Sequence, residues 1–463
     1  MGHCPVYPKP LKSKSSLLRL FWRARRSWLD VLYERSYQMK MGHVRLPAAD
    51  LFMINQPDLV RRVLIDEADR FPKHALLGRI LKPLLGSSIF TTNGATWQRQ
   101  RCMMNPAFEQ ARLRIVFAKM NAAVDAMAQR LDKIASNTVV DVDLEMTYVT
   151  ADIIFRTILS RSLDSEEGHK IFAAFVQFQA IAPSLTLGIL YRLPGWLVSG
   201  SGAAKSRRAA TEIRATLAFF IRQRYDAYHA GQAGEDQDIL ASLLAAVDPV
   251  RGTQFGFEEL VDQVAMLFLA GHETSASALS WSLYLIASHP DIQQQMHEQS
   301  IAVLGTRQPA FSDIKKMDLI GNVFRETLRL YPPVGFMARE TLHTEQMRDK
   351  TMRAGSSVVI APWLIHRHRE IWENPDGFDP CRYQTESAKE SLKTGYLPFG
   401  LGPRVCIGAA FATQEAVLIL ARLVRRYRFE YLPEHEPKPV GRLTIRSENG
   451  IKLKIIQRHM VTE

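Results

Sequence analysis

One long helical segment limits most strongly how this chain can fold. From about Phe257 to Ser288 the residues favour a helix, and the segment stops at His289-Pro290, where proline forces an end. At about 1.5 Å per residue such a helix is roughly 50 Å long. A helix of this length crosses a whole domain, so we expect the other elements to surround it and to use it as the scaffold of an internal site.

The remaining pattern predicts a mainly helical body with a smaller strand-rich part. From about Arg112 to Glu298 helix formers dominate, whereas short apolar alternations that favour strands lie towards the chain ends, as in residues 43–54. Residues 58–65 and 97–104 favour short helices. No repeat, low-complexity tract or linker divides the chain, so we predict a single domain over residues 1–463.

The first 29 residues form a basic segment with seven Lys or Arg and no acidic residue. Arg19 interrupts the apolar run that begins at Leu17, so no transmembrane anchor is expected. We interpret residues 1–29 as a basic first helix, peripheral or flexible, of a soluble cytoplasmic protein. A mitochondrial transit peptide and a peripheral contact with a membrane are the alternatives.

The formal net charge of +12 is compatible with three classes of binding partner. A basic surface suits an acidic protein, an anionic membrane or a nucleic acid, and no nucleic-acid-binding motif supports the last. The cysteines are scattered without a C-x-x-C pair, which argues against a disulfide framework and against a zinc site. They are Cys4, Cys102, Cys381 and Cys406.

The segment with the clearest chemistry places one cysteine in a glycine-rich turn before a helix. It reads Phe399-Gly400-Leu401-Gly402-Pro403-Arg404-Val405-Cys406-Ile407-Gly408, and a helical pattern follows from Ala409 to Val424. Backbone amides and the helix N-terminus would stabilise a thiolate at Cys406. Gly402 and Gly408 would let the chain approach a flat cofactor closely, and Arg404 would pair with an acidic group on it.

This segment is similar, at every defined position, to the Phe-x-x-Gly-x-Arg-x-Cys-x-Gly signature of the cytochrome P-450 haem-thiolate enzymes, here of a soluble bacterial type. The resemblance implies that haem b is the cofactor and that Cys406 is the axial ligand of its iron. It also implies a mainly α fold with a smaller β-rich lobe, with the haem between the long central helix and the cysteine loop. The haem contacts expected from it are Trp97, Arg101, Ala270, Gly271, Arg339, Phe399, Arg404, Cys406 and Gly408.

A second motif, Ala270-Gly271-His272-Glu273-Thr274-Ser275, lies midway along the long helix. Gly lowers helix stability by about 1 kcal/mol, and Thr can bond back to a carbonyl one turn earlier, so we expect a local distortion there. The motif resembles the oxygen-activation motif of the family. That resemblance implies that Glu273 and Thr274 are the catalytic residues that organise protons.

A third motif, Glu326-Thr327-Leu328-Arg329, places an acid and a guanidinium on one helix face. In the family such a pair is joined by a downstream arginine, which here is Arg382, and we expect this network to be structural. Family analogy also places an apolar substrate pocket at Phe90, Phe178, Ala270, Val334 and Phe336.

The resemblance implies a monooxygenase that hydroxylates an apolar small molecule, such as a fatty acid, a terpenoid or a steroid-like compound, with O2. The chain lacks flavin, dinucleotide and iron-sulfur motifs, so we expect two electrons from a ferredoxin or flavodoxin with its reductase. A haem-thiolate enzyme that uses or rearranges peroxides and a non-catalytic haem-binding protein are the alternatives.

Overall fold

The computed structural model describes residues 4–13, 15–46, 49–190, 201–232 and 234–458. Helices make up most of this part of the chain. In order, they are α1 Leu17–Arg26, α2 Pro57–Arg61, α3 Ala75–Leu85, α4 Gly94–Met104, α5 Gln110–Asp132, α6 Val142–Leu159, α7 Glu166–Leu190, α8 Ser201–His229, α9 Ile239–Leu244, α10 Phe257–Ala287, α11 Pro290–Leu304, α12 Asp318–Leu330, α13 Pro362–Ile365, α14 Glu386–Gly395 and α15 Ala409–Arg426.

The strands form small sheets beside this helical body. They are β1 Met41–Leu46, β2 Ala49–Ile54, β3 Thr138–Asp141, β4 Met337–Glu340, β5 Glu345–Met347, β6 Lys350–Met352, β7 Ser357–Ile360, β8 Tyr427–Tyr431, β9 Pro439–Gly441, β10 Ile445–Ser447 and β11 Lys452–Gln457. The largest sheet has the order β1-β2-β7-β4, with β2 and β7 parallel. A three-stranded sheet has the order β3-β11-β8.

Two apolar cores correspond to the two parts of the fold. The larger core lies among the helices and includes most apolar residues of α10 from Leu260 to Ala287. The smaller core lies under the β1-β2-β7-β4 sheet and contains Phe52, Val358 and Ile360. Residues on all sides of α10 are buried, including several polar ones in its middle part, and the helix is otherwise apolar, as expected for a buried helix.

Helix α10 is the central element predicted from the sequence. It spans 31 residues, which corresponds to about 46 Å, and it contacts α6 most extensively. It ends at Ala287 because Pro290 occupies the first turn of α11. Within the described residues, every helix is too short or too polar to cross a lipid bilayer.

The mainly helical fold with a smaller β-rich part is confirmed, and one local expectation is wrong. Strand β3 lies in mid-chain rather than near a chain end, and it pairs with the C-terminal strand β11. Helix α10 is continuous through its Gly-x-Glu-Thr segment, and the expected bond from Thr274 back to the carbonyl one turn earlier is present. The single-domain assignment of residues 1–463 stays a prediction.

At Gly271, helix α10 packs directly against α6. A Cβ atom at this position would lie 2.5 Å from Cδ1 of Ile154, and Ile154 is itself buried. A Cβ atom added at Gly321 of α12 would have no such neighbour within 4 Å. The two helical glycines therefore differ in steric environment but not in helix propensity, which makes them a matched pair.

We predict opposite effects for alanine at these two glycines. Gly321→Ala should raise the free energy of unfolding by about 0.5–1 kcal/mol through helix propensity. Gly271→Ala should lower it by about 1–3 kcal/mol through overpacking, and adding Ile154→Val, which removes Cδ1, should restore most of the loss. Urea unfolding measures all three variants. Equal stability of the two alanine variants would show that α6 does not restrict Gly271.

Candidate active site

The loop before α15 presents the Cys406 thiol at a helix N-terminus. The Cys406 N–H donates to the Phe399 carbonyl over 2.8 Å, and the Val405 N–H donates to the Gly402 carbonyl over 3.0 Å. These two bonds close the loop, and α15 begins three residues after the cysteine. Cys406 is an exposed residue, although surrounding atoms of the chain desolvate its sulfur. The two backbone bonds set the local geometry of the loop around the sulfur.

The protein by itself does not favour the thiolate that the sequence predicts. Burial raises the pKa of the Cys406 thiol, whereas the Gly408 N–H and the cations of Arg101 and Lys73 lower it only in part. A thiol in this environment becomes an anion only if a further positive charge binds it. The chemistry of the loop thus fits a sulfur that ligates a metal cation.

Four cations lie around this loop: Lys73, Arg101, Arg339 and Arg404. Burial lowers the pKa of Arg339 to about 10, and burial together with Arg339 and Arg101 lowers the pKa of Arg404 to about 10. Burial and the three guanidinium groups hold the pKa of Lys73 well below its usual range. Within the described ranges none of the four forms an ion pair with an acidic side chain.

Each of these cations is held by neutral acceptors. Arg101 donates to the Val405 carbonyl over 2.7 Å and to the Asn105 amide oxygen over 2.8 Å. Arg404 donates to the Thr92 carbonyl and to the Asn93 amide oxygen, over 3.0 and 2.7 Å.

The remaining contacts place the other cations near the same loop. The guanidinium of Arg404 lies 4.0 Å from the centre of the Trp97 ring, so Trp97 acts here through its ring face. Lys73 donates to the Phe90 carbonyl over 3.0 Å and is bridged to Arg339 through the backbone. Mutual repulsion of four partly desolvated cations is costly unless an anion binds among them. The donor set therefore fits a cofactor with acidic groups.

The two glycines of the cysteine loop, Gly402 and Gly408, have different neighbours. Gly402 has a φ of +70°, and a Cβ there would lie 2.1 Å from the Leu64 carbonyl oxygen. The close approach on the Cβ side of Gly402 is thus to the backbone of residues 62–66, and its approach to a flat cofactor stays a prediction. At Gly408 the nearest atom to a Cβ is the Cys406 sulfur, 3.9 Å away.

The central motif of α10 is held by polar contacts within the helix and with α6. The Thr274 hydroxyl donates to the Ala270 carbonyl one turn earlier, over 2.7 Å. The Cβ position of Gly271 lies on the side of α6. Packing against α6 therefore requires glycine here, independently of any contact on the opposite side of α10. Thr150 of α6 donates to the His272 carbonyl over 3.1 Å and ties the two helices together here.

Glu273 is buried in a bidentate ion pair with Arg446. The guanidinium donates to the carboxylate over 2.7 and 3.2 Å, and the Thr444 hydroxyl donates to it over 2.5 Å. Burial would raise the pKa of Glu273, but Arg446 outweighs burial and holds it below its usual value. Arg446 also pairs with Asp143 over 2.7 Å. Glu273 is therefore an ionised, immobilised carboxylate.

Glu326, Arg329 and Arg382 come together in one buried network. The Arg329 guanidinium donates to both Glu326 oxygens over 2.9 and 2.8 Å, and Arg382 donates over 2.9 Å. The Tyr383 hydroxyl adds a fourth bond over 2.8 Å. Burial would raise the pKa of Glu326, but the two guanidinium groups keep it below its usual value.

His366 connects this network to the cysteine loop. Its Nδ1 lies 3.2 Å from the Arg329 carbonyl, and its Nε2 accepts the Leu397 N–H over 2.9 Å. Burial lowers the pKa of His366 to about 3, so the ring is neutral and Nδ1 carries the proton. This series of hydrogen bonds, from Glu326 through Arg329 and His366 to Leu397, therefore positions the residues that precede Phe399.

The predicted pocket residues do not share one environment. Phe178 is buried in the helical core, whereas Val334 is 39 % exposed. The Phe336 ring contacts Trp28 edge-on with centroids 5.3 Å apart, and Phe90 lies under the Lys73 ammonium. Family analogy also assigns the apolar segment from His169 to Trp196 to the pocket, and residues 191–200 lie outside the described residues.

Comparison with known proteins decides the family. The cytochrome P450 family model matches residues 8–455. The chain belongs to the cytochrome P450 family. This membership makes it a monooxygenase and implies a haem cofactor, O2 and a source of electrons. The fold agrees, since the chain superposes on the crystal structure of the cytochrome P450DA haem domain with a TM-score of 0.80 at 25 % identity, covering 91 % of this chain and 90 % of that chain.

Two bacterial relatives are similar over most of their length. Cyclooctatin synthase of Streptomyces melanosporofaciens is 32 % identical over 87 % of this cytochrome P450 and 85 % of the relative. Cyclooctat-9-en-7-ol 5-monooxygenase of the same organism is 29 % identical, over 84 % of this chain and 82 % of the relative.

Sequence reasoning missed four residues of this cytochrome P450 that the fold brings to the motifs. Lys73 joins the cations, and Arg446 and Thr444 bind Glu273 from the C-terminal part of the chain. Glu415 of α15 is fully buried, and within the described residues its carboxyl has no hydrogen bond of good geometry, with the Ser275 hydroxyl as its polar neighbour. No short motif marks these residues, although buried charged residues in a helical pattern are a usable signal.

Glu415 should make stability depend on pH. Burial raises its pKa to about 8, although Ser275 lowers it in part. Between pH 4.5 and 8 the unfolded chain loses this proton while the folded protein retains it, so stability falls as pH rises through this window. We predict that Glu415→Gln, which stays neutral, gains in melting temperature relative to the parent from pH 5 to pH 8.5.

The exposed Glu434→Gln is the matched control for this measurement. Its melting temperature should stay parallel to that of the parent across the same pH range. If the Glu415→Gln holoenzyme also stays parallel, the carboxyl of Glu415 is ionised in the folded protein.

Proposed function

We propose that this cytochrome P450 uses haem b, bound through Cys406, to insert one oxygen atom of O2 into an apolar small molecule. One observation carries the proposal: an accessible thiol at a helix N-terminus lies among Lys73, Arg101, Arg339 and Arg404, and none of these cations forms an ion pair with an acidic side chain of the described residues, although Asp69 acts on Arg404 at longer range. An iron cation and the acidic edge of haem b would compensate the thiolate and the cations respectively.

The roles of the chain's own groups follow from this arrangement. Bound haem supplies the iron at which O2 is activated, and the thiolate donates electron density that favours O–O cleavage. Cys406 is the proposed axial ligand, and Arg101 and Arg404 are the proposed partners of the acidic edge together with Lys73 and Arg339. Trp97 supports Arg404 through ring stacking at 4.0 Å.

Thr274 and Glu273 are the proposed proton-handling residues, with unequal parts. Thr274 Oγ1 carries a proton that it donates to the Ala270 carbonyl, and rotation of one side-chain torsion would redirect this proton. Glu273 holds no proton at neutral pH because Arg446 keeps it ionised. We therefore assign proton donation to Thr274, and to Glu273 the electrostatic orientation of the groups near it.

The proposed substrate is an apolar small molecule, and a terpenoid is the kind that the names of two relatives support. The predicted pocket residues Phe90, Phe178, Ala270, Val334 and Phe336 are all apolar. Two relatives are named for cyclooctatin and for cyclooctat-9-en-7-ol, and neither of these is named as an acid. We propose that the two electrons come from a ferredoxin or flavodoxin with its reductase in the cytoplasm.

The first experiment tests the haem-thiolate centre. The dithionite-reduced holoenzyme should show a strongly red-shifted Soret band with carbon monoxide, and Cys406→Ala should lose this shift because the sulfur ligand is removed. Cys102→Ala is the matched control, since this cysteine is also accessible, and it should keep the shifted band. An unshifted band in the parent protein would mean that Cys406 is not the ligand.

A second prediction concerns Thr274. Replacing it by alanine removes the Oγ1 proton and should lower the ratio of product formed to reductant consumed by about ten-fold or more, in line with general acid catalysis. Thr150→Ala removes a hydroxyl that contacts the same stretch of α10 and should leave the ratio nearly unchanged. An unaltered ratio in Thr274→Ala would exclude the proposed role.

A third prediction concerns the electron donor. The net charge of +12 favours an acidic protein donor, so the rate of haem reduction by a ferredoxin should fall steeply between 50 and 300 mM salt, where the Debye length shortens from about 14 Å to about 6 Å. Reduction by dithionite controls for effects of salt on the haem itself. A rate independent of salt, or product formed with peroxide alone, would favour an enzyme that does not use such a donor.

A further inference from the structure

Helix α1 exposes two large apolar side chains side by side. Leu18 is 69 % exposed and Trp22 is 60 % exposed. They lie four residues apart and therefore on one face of the helix. Exposure of a single apolar residue is ordinary, but an exposed leucine and tryptophan on one helical stripe form a local apolar surface.

Arginines flank this apolar stripe. Arg19 and Arg23 are exposed and four residues apart, so they form a second stripe next to the first. The Arg25 guanidinium lies 5.0 Å from the centre of the Trp22 ring. Residues 1–29 contain no acidic residue, and within the described residues Arg19 and Arg23 form no ion pair. The exposed face of α1 is thus both apolar and cationic.

The helix is held against the body at its C-terminal end. Arg26 forms a bidentate ion pair with Glu448 over 2.9 and 2.6 Å, and this arginine therefore does not contribute free charge to the exposed face. The Ser27 hydroxyl accepts the Gly441 N–H over 2.9 Å. Next to it the Trp28 ring lies over Gly335 and Gly441, where any Cβ would clash. The body thus presents the Leu18 and Trp22 stripe outward in a fixed orientation.

We propose that α1 is an interfacial helix that binds an anionic phospholipid surface, with Leu18 and Trp22 at the boundary of headgroups and acyl chains and Arg19 and Arg23 on the lipid phosphates. An acidic protein or a nucleic acid would use the arginines but would leave the apolar stripe in water. An anionic bilayer satisfies both, since tryptophan favours the bilayer interface and arginine favours its surface potential.

The position of α1 gives this binding a consequence that rests on the proposed function. Trp28 follows directly after the helix and contacts Phe336, which belongs to the predicted substrate pocket. A bilayer bound at α1 would lie beside this contact, which places Phe336 near the lipid surface. Membrane binding itself does not depend on catalysis and is measured separately from it.

Flotation of the full-length holoenzyme with vesicles tests the proposal. The protein should float with vesicles of 70 % phosphatidylcholine and 30 % phosphatidylglycerol, and float little with phosphatidylcholine alone. Arg19→Glu with Arg23→Glu should weaken the partition coefficient at least about ten-fold, as expected for reversing two charges at an anionic surface. Leu18→Ala with Trp22→Ala should weaken it similarly.

Matched controls distinguish binding through α1 from a general effect of net charge or of exposed apolar area. Lys133→Glu with Lys315→Glu makes the same charge change at exposed sites on other elements, and Leu144→Ala with Val250→Ala removes exposed apolar groups elsewhere. Both pairs should leave vesicle binding within two-fold of the parent. The carbon monoxide difference spectrum should be unchanged in every variant, which shows that the fold and the haem site are intact.

Either of two results would overturn the proposal. One is equal flotation of the parent and both α1 variants, which would place the contact elsewhere. The other is no flotation with anionic vesicles at low salt, and in that case binding of a polyanion such as heparin, lost in Arg19→Glu with Arg23→Glu, would point to an acidic macromolecule instead.

Discussion

The buried carboxylate of Glu326 is the interaction on which the active-site geometry depends. Two guanidinium groups and the Tyr383 hydroxyl donate to it, and Glu326 and Arg329 have no solvent exposure. Removing one member of such a buried cluster generally costs about 3–5 kcal/mol, because the other charges stay buried without compensation. The cluster also uses its remaining donors on backbone carbonyls, including those of His366 and Gly377. It therefore fixes the path of the chain between α13 and the cysteine loop.

The cysteine loop inherits its position from this cluster and its chemistry from the surrounding charges. Through His366 the network sets the Leu397 N–H, and two residues later Phe399 accepts the Cys406 N–H. Four cations converge here from β4, α4, the segment before α3 and the loop itself. A site that gathers positive charge without acidic partners is destabilised until it binds an anion, so the fold stores part of the free energy of cofactor binding as unpaired charge.

Neighbouring residues of the central α10 motif lie in different surroundings. The Thr274 hydroxyl donates to the Ala270 carbonyl, Glu273 is held as a carboxylate by Arg446, and Gly271 admits α6. These three environments fit within four residues because successive positions of a helix point in different directions. Glu415 and Ser275 add a buried acid on the side of α15, where burial raises the pKa of the carboxyl to about 8. Two carboxyl groups near one helix thus hold opposite protonation states.

Local sequence determined the elements and motifs of this cytochrome P450. Proline at position 290 ends α10, apolar composition buries it, and the spacing from Phe399 to Gly408 predicts the cysteine turn. The mainly helical fold with a small β-rich part followed from the same periodicities. The backbone neighbour of Gly402, the partners of Glu273 and the fourth cation Lys73 did not follow, nor did the raised pKa of Glu415. Each depends on residues far apart in the chain, as Arg446 is from Glu273. Only the tertiary structure decides such contacts, because burial and charge pairing arise from distances in space that no local pattern of residues encodes.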